Sequence, residues 1–156
     1  MRITVLVVGR ARHAGLVDAI ADYERRAARY WPLDIIEVRE ESARGRRSED
    51  VRNKEGERIA ARLPESATVV VCDPPPAGES MTSEAFASFI QGCRERDEHL
   101  AFVIGGAYGV AGSVQSRAKR RLSLAPWTLP HELARLVLAE QLYRAGTLQR
   151  GEPYHK

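Results

Sequence analysis

The alternation of short, uninterrupted apolar runs with stretches of helical periodicity most constrains what this chain can fold into. Arg2–Val8 is a continuous β-branched run that stops at Gly9, and Thr68–Cys72 and Leu100–Ile104 read the same way. A strand that is apolar at successive positions, rather than at every second one, is buried on both faces. After the first run, Leu16, Ile20, Tyr23, Ala27 and Tyr30 recur at helical spacing. Strands alternating with helices predict βαβ units, hence an α/β fold with a mostly parallel sheet flanked by helices.

The remaining segments extend this pattern. Pro32 ends the first helix, and Leu33–Val38 is the next strand. The polar loop Glu40–Arg47 carries Arg44, Arg46 and Arg47. Ser48 is expected to cap a helix running to about Leu63, with Glu49 and Asp50 in its first turn, where the helix dipole favours acids. Asp73–Ser80, with three successive prolines, is expected to be a loop. Thr82 or Ser83 then caps a helix to about Arg94, with Phe86, Phe89 and Ile90 inward. Beyond Leu100–Ile104 the sequence predicts a short basic helix over about Ser113–Arg121, a brief strand at Leu122–Leu124, and a long helix over His131–Ala145. Ligands of such sheets bind outside the carboxyl ends of the strands. Asp73–Ser80, Gly105–Gly112 and Ala125–Pro130 are the loops expected there.

The 156 residues suit one domain, taken as 1–156, within the usual range of about 100–200. No apolar run reaches the roughly 18 residues of a membrane span, and the opening segment is too short for a signal peptide, which points to the cytoplasm. Cys72 and Cys93 lie far apart and form no metal-ligand spacing with each other or with the four histidines, so no metal is expected. The net charge is only +3, but nearly every base is Arg, Lys occurring only at Lys54, Lys119 and Lys156. The planar guanidinium suits phosphate and stacking contacts. Arg44/Arg46/Arg47 and Arg117/Lys119/Arg120/Arg121 can therefore meet a phosphate backbone or simply be solvated faces.

Motifs narrow the chemistry. There is no P-loop, GxSxG or HExxH, and no GxGxxG follows the first strand, although Glu37 stands where a ribose-binding acid could. The turn Gly105-Gly106-x-x-Gly109 after a buried strand is the strongest local signal. Glycine there allows either close approach of a ligand to backbone or merely a tight strand-to-helix turn. In the last helix Leu133, Leu136, Val137 and Leu142 can pack inward, while Arg135, Glu140, Tyr143 and Arg144 mix charge and aromatic character. The tail Pro153-Tyr154-His155-Lys156 can stack on a base and meet a phosphate, or be a loose end.

Six segments in order carry a resemblance. They are the opening strand into Val8-Gly9, Asn53-Lys54-Glu55-Gly56-Glu57, Phe102–Gly109, Thr128-Leu129-Pro130-His131, Arg135 followed by Glu140–Ala145, and the closing Pro153–Lys156. Together, over essentially the whole chain, they resemble the RlmH family of ribosomal RNA large-subunit methyltransferases, of the SPOUT class. The resemblance implies a trefoil knot near the C-terminal end, a homodimer, and S-adenosylmethionine held in the knot loops. It implies methylation on N3 of a pseudouridine in the decoding-centre hairpin of 23S rRNA, in assembled ribosomes. It carries cofactor contacts onto Cys72, Gly105, Gly106, Ser123, Leu124, Ala125, Pro126, Trp127 and Thr128. The family often has Leu at the position of Cys72, and either side chain can touch adenine. The resemblance also implies that one subunit's tail completes the other's pocket. Because they cluster in the last helix and tail, Arg144 is expected to act as a cation or phosphate clamp, Tyr154 as a stacking or orienting group, and His155 as the candidate base for the N3 proton.

Overall fold

The computed structural model describes residues 1–154. His155 and Lys156 lie outside the described residues. Among the described residues six strands form one sheet: β1 (Ile3–Val8), β2 (Leu33–Val38), β3 (Thr68–Cys72), β4 (Glu79–Ser80), β5 (Leu100–Ile104) and β6 (Ala118–Ser123). Their order across the sheet is β2-β1-β5-β3-β6-β4, and every pairing is parallel. The helices are α1 (Ala14–Ala27), α2 (Ser48–Ala60), α3 (Ser83–Glu95), the one-turn α4 (Gly112–Gln115) and α5 (His131–Gln149).

The central strands are apolar at successive positions because both their faces are covered. Ile3, Val5, Val7, Val70, Phe102 and Ile104 pack with Ala27, Trp31, Phe86, Ile90, Leu138 and Leu142 beneath α1, α3 and α5. Their neighbours Leu6, Val8, Val69, Val71, Ala101 and Val103 point the other way, onto Ile59 of α2 and Val114 of α4. Burying a side chain of this size contributes roughly 1.5–3 kcal/mol, so these two layers set the strand positions.

Local signals start and stop the helices. The Thr82 hydroxyl accepts the Ala85 N–H at 3.2 Å and caps α3, as its sequence position suggested. The His13 ring accepts the Gly15 N–H at the start of α1. Ser48 is not a cap. It is the first helical residue of α2, and Arg47 precedes it with no side-chain cap bond.

Three other departures have physical causes. The basic helix expected to run to Arg121 stops at Gln115, and Ala118–Ser123 is strand β6 against β3. A run of charges reads locally as a solvated helix. Here Arg120 instead meets Glu79 at 3.1 Å and lies over the Phe89 ring, while Arg121 reaches Gln115 and Asp73. The Pro-rich segment ends in a two-residue strand, β4, paired outside β6. Finally, α5 runs one turn past Ala145, and Arg135 is buried rather than solvated. Its guanidinium donates to Glu24 of α1 at 2.6 Å and to Glu37 of β2 at 2.8 Å.

Candidate functional site

Register brings the carboxyl ends together. Cys72 lies opposite both Ile104 and Leu122, and Leu122 lies opposite Glu79. The residues one position further on, Gly105 and Asp73 just past their strands and Ser123 at the last position of β6, are therefore neighbours. Because β6 lies between β3 and β4, the segment from Asp73 to Gly78 must step across the end of β6. It does so in close contact. A Cβ on Gly78 would stand 2.2 Å from the Asp73 carbonyl oxygen and 2.7 Å from the Ser123 nitrogen. The Asp73 N–H donates to the Leu122 carbonyl at 3.0 Å, which ties the start of this segment to β6.

A cleft opens at this junction. Cys72, Asp73 and Pro74 form one wall, and Ser123, Leu124, Ala125, Trp127, Thr128 and Leu129 form the other, with Ala134 of α5 behind. Of the residues expected to touch a cofactor, Cys72, Ser123, Leu124, Ala125, Trp127 and Thr128 line it, whereas Pro126, Gly105 and Gly106 do not. The Ser123 hydroxyl donates to the Ala125 carbonyl at 2.7 Å and shapes the turn after β6. Trp127 is 75% exposed at the rim. The enclosed space is narrow, about 50 Å³.

The glycine turn after β5 is needed by the protein's own packing. A Cβ on Gly105 would stand 2.7 Å from the Gly109 carbonyl carbon, and one on Gly106 would stand 2.8 Å from Glu55 Oε2. The Gly109 N–H donates to the Gly106 carbonyl at 3.1 Å, and Gly109 has φ +80°, a conformation suited to glycine. Any ligand contact at Gly105 and Gly106 must therefore be made by their peptide groups. Glu55, in the second resembling segment, is buried beneath this turn and accepts the Glu41 N–H at 3.0 Å. Burial pushes its pKa up.

Asp73, at the start of the segment expected to be a loop, is the buried acid of the cleft. It is 7% exposed. Its Oδ2 accepts no hydrogen bond from any described residue and faces Arg121 Nε at 3.5 Å. Burial raises its pKa, and Arg121 opposes the rise. Its position one residue past a buried strand was the available signal. Cys72, half-buried beside it, is pushed up to about 12 by burial and by the Asp73 charge, so it remains a neutral thiol.

The expected catalytic residues gather elsewhere. Tyr154 packs on Tyr143 with ring centroids 4.6 Å apart, and its hydroxyl donates to Glu140 Oε1 at 3.1 Å. The Arg144 guanidinium lies 4.9 Å from the Tyr154 ring centre and donates from Nε to the same Glu140 oxygen at 3.0 Å. Tyr23 of α1 stands 3.3 Å from the Tyr154 hydroxyl. Burial, with Tyr23 and Glu140 adding to it, raises Tyr154 well above the ordinary tyrosine range, so it is a donor and not a base. The hydrogen bond to Glu140 likewise raises Arg144. Neither residue lines the cleft of its own chain, and His155 falls outside the described residues. Glu140, Tyr143 and Tyr23 are the members of this cluster to which the sequence assigned no role. Among the described residues no group of His, Cys, Asp and Glu could hold a metal ion, and no helix is long and apolar enough to cross a membrane.

Comparisons with known proteins bear on this geometry. The family described as "Predicted SPOUT methyltransferase" matches residues 1–155. A "Ribosomal RNA large subunit methyltransferase H" from Gemmatimonas aurantiaca is 62% identical over the whole of both chains. Proteins of the same description from Syntrophotalea carbinolica and Anaeromyxobacter dehalogenans are 41% and 42% identical, over 99% and 100% of each chain respectively. A solved structure of a Legionella pneumophila methyltransferase in complex with the cofactor SAM aligns at TM-score 0.49 and 12% identity, over 93% of this chain and 66% of that one.

Proposed function

This chain belongs to the SPOUT methyltransferase family, and from that premise we propose that it is a ribosomal RNA large-subunit methyltransferase. On this reading it uses S-adenosylmethionine to methylate N3 of a pseudouridine in the decoding-centre hairpin of 23S rRNA, on assembled ribosomes. The observation that carries the proposal is full-length similarity to proteins so described, together with a cleft at the junction of β3 and β6 whose composition suits the cofactor.

The fit rests on chemistry present in the cleft. Leu124, Leu129 and Ala134 offer an apolar wall for adenine, and the backbone of 123–128 offers polar groups to its edge. The buried, unbonded Asp73 Oδ2 offers negative charge to a cationic ligand. The enclosed space of about 50 Å³ is too small for the whole molecule. Part of it would lie against the open rim, which a second subunit can cover.

When bound, the sulfonium supplies an already activated methyl group. The protein's task is then alignment of the target nitrogen and removal of its proton. His155 is assigned as the base. Arg144, held by Glu140, is assigned to the phosphate or to the negative charge that develops on the base ring. Tyr154, a permanent donor, is assigned to orientation. Because Arg144 and Tyr154 stand away from the cleft of their own chain, the assignment requires a homodimer in which the tail of one subunit reaches the cleft of the other. The knot belongs to the same proposal: the segment that steps across β6 would be the loop through which the chain passes on its way to α5.

The test is methyl transfer from labelled S-adenosylmethionine to assembled ribosomes lacking the modification, to naked ribosomal RNA, and to buffer. Label on N3 of one pseudouridine, in ribosomes only, is expected. Transfer to naked RNA would discard the assembled substrate. Binding of the cofactor with no transfer to either substrate would discard the RNA target.

A further inference from the structure

We propose that Asp73 is the residue by which the cleft distinguishes the positively charged sulfonium donor from its neutral thioether product. The proposal rests on the cofactor reading above and deepens it.

Among the described residues lining the cleft, Asp73 carries the one carboxylate, and the others are apolar or neutral. The side chain is 93% buried, being 7% exposed, and its Oδ2 receives no hydrogen bond from a described residue. A carboxylate taken out of water and left short of donors is destabilising unless a partner is supplied. Arg121 supplies part of one. Its Nε stands at 3.5 Å, too long for a good charge-assisted bond, and its Nη2 is already given to Gln115. The arrangement leaves Asp73, a residue of the cleft wall, incompletely satisfied. Backbone holds it there on both sides: the Asp73 N–H bonds to Leu122, and Gly78 packs against the Asp73 carbonyl. A positive ligand in the cleft would supply the missing partner.

The reaction then changes the ligand at the point Asp73 senses. The S–CH3 bond breaks with its electron pair left on sulfur, an N–CH3 bond forms, and the N3 proton passes to the base. The sulfur enters with a positive charge and leaves with none. The α-ammonium, carboxylate, ribose and adenine are the same before and after. A carboxylate placed toward the sulfur favours the reactant over the product, whereas one placed toward the ammonium or the ribose would hold both equally. A site that favours the reactant would both load and clear more readily.

The test is calorimetric titration of the full-length protein with S-adenosylmethionine, S-adenosylhomocysteine and sinefungin, in which a protonated amine replaces the sulfonium centre. Each is compared in the parent protein, Asp73→Asn and Arg121→Gln, with a melting curve to establish that each variant is folded. In Asp73→Asn, binding of the two charged ligands is expected to weaken about 10- to 100-fold, the range for loss of a charge-assisted contact. S-adenosylhomocysteine is expected to change less than about threefold, within the ordinary spread for neutral contacts. Arg121→Gln retains the Asp73 charge and is expected to retain the preference for charged ligands. Equal weakening of all three ligands in Asp73→Asn would overturn the proposal, because Asp73 would then serve a group common to donor and product. Loss of the preference in Arg121→Gln would overturn it too, since the ion pair would then be structural. If the parent protein bound none of the three, the cofactor reading itself would fall. If it bound all three with the same affinity, only the discrimination would fall.

Discussion

Replacing Gly78 with alanine tests the structural basis of the cleft directly. The added methyl would stand 2.2 Å from the Asp73 carbonyl oxygen, 2.7 Å from the Ser123 nitrogen and 2.9 Å from the Leu122 carbonyl carbon. All three are backbone atoms, so no rotamer change relieves the contact. Backbone conformation is not at issue, because Gly78 is not among the glycines with positive φ. Overpacking of this kind costs typically about 1–3 kcal/mol, and three rigid contacts place Gly78→Ala at the upper end. For a chain of this size each kcal/mol shifts the melting temperature by about 2–4 °C, so a fall of roughly 6–12 °C is expected. The chain can escape part of this cost by detaching the two-residue strand β4 from β6. That escape moves Asp73 and Pro74, so cofactor affinity falls even if melting falls less. Gly112→Ala is the control. Nothing lies within 4 Å of its Cβ position and its φ is not positive, so melting should stay within about 2 °C of the parent. Differential scanning calorimetry and ligand titration give both readouts. Parent-like melting and parent-like affinity in Gly78→Ala would refute the close crossing, as would an equal loss in the Gly112→Ala control.

Three further outcomes follow from particular contacts. Arg135→Ala leaves Glu24 and Glu37 without the guanidinium that joins α1, β2 and α5, and urea unfolding should show a loss of about 3–5 kcal/mol, as for a broken buried pair. Thr82→Ala removes the cap on the Ala85 N–H and should cost about 1 kcal/mol, read as a melting shift of a few degrees. Asp73→Asn should stabilise the free protein at neutral pH. Burial raises the folded pKa of Asp73 above its unfolded value, so the parent gains stability as pH falls and loses it as pH rises through that raised pKa. Asn does not titrate, so the variant's advantage should shrink on acidification and vanish below the unfolded aspartate range near pH ~4. Glu55 is raised in the same direction but is present in both proteins, so it cancels in the comparison. An advantage that grows on acidification would contradict the assignment of Asp73 as a buried acid.

The order of elements was legible because burial writes itself into local composition. Thr68–Cys72 and Leu100–Ile104 occupy the strands that their apolar runs indicated, and Leu33–Val38 is the strand expected after Pro32. The Thr82 cap was legible for a similar reason, since the hydroxyl and the N–H it serves are three residues apart. β6 was not. Ala118–Arg121 has no apolar run, and it is strand because β3 offers it a ladder and because Glu79, Phe89, Gln115 and Asp73 receive its guanidinium groups. Those partners come from segments up to 48 residues away, which no local pattern can encode. The burial of Arg135 has the same explanation, since Glu24 lies 111 residues before it.

The candidate site divides in the same way. The residues after β3 and β6 could be named from the sequence, because motif resemblance keeps its order along the chain and ligands of parallel sheets gather at strand ends. Which of those residues face one another was a matter of register. The parallel ladders align Cys72 with Ile104 and Leu122, and that alignment makes Asp73 a buried cleft acid and Gly78 a crossing point. It also fills the space beside Gly105 and Gly106 with Gly109 and Glu55, although in sequence those glycines read equally well as room for a ligand. The sequence by itself determined the segments whose burial or periodicity is local, such as β1, β3, β5 and the helices α1, α3 and α5, but not β4 or β6. Only the tertiary structure decided which strand ends meet and which charges find partners. Pairing across a sheet joins residues by distance in space, and the chain carries no local record of that distance.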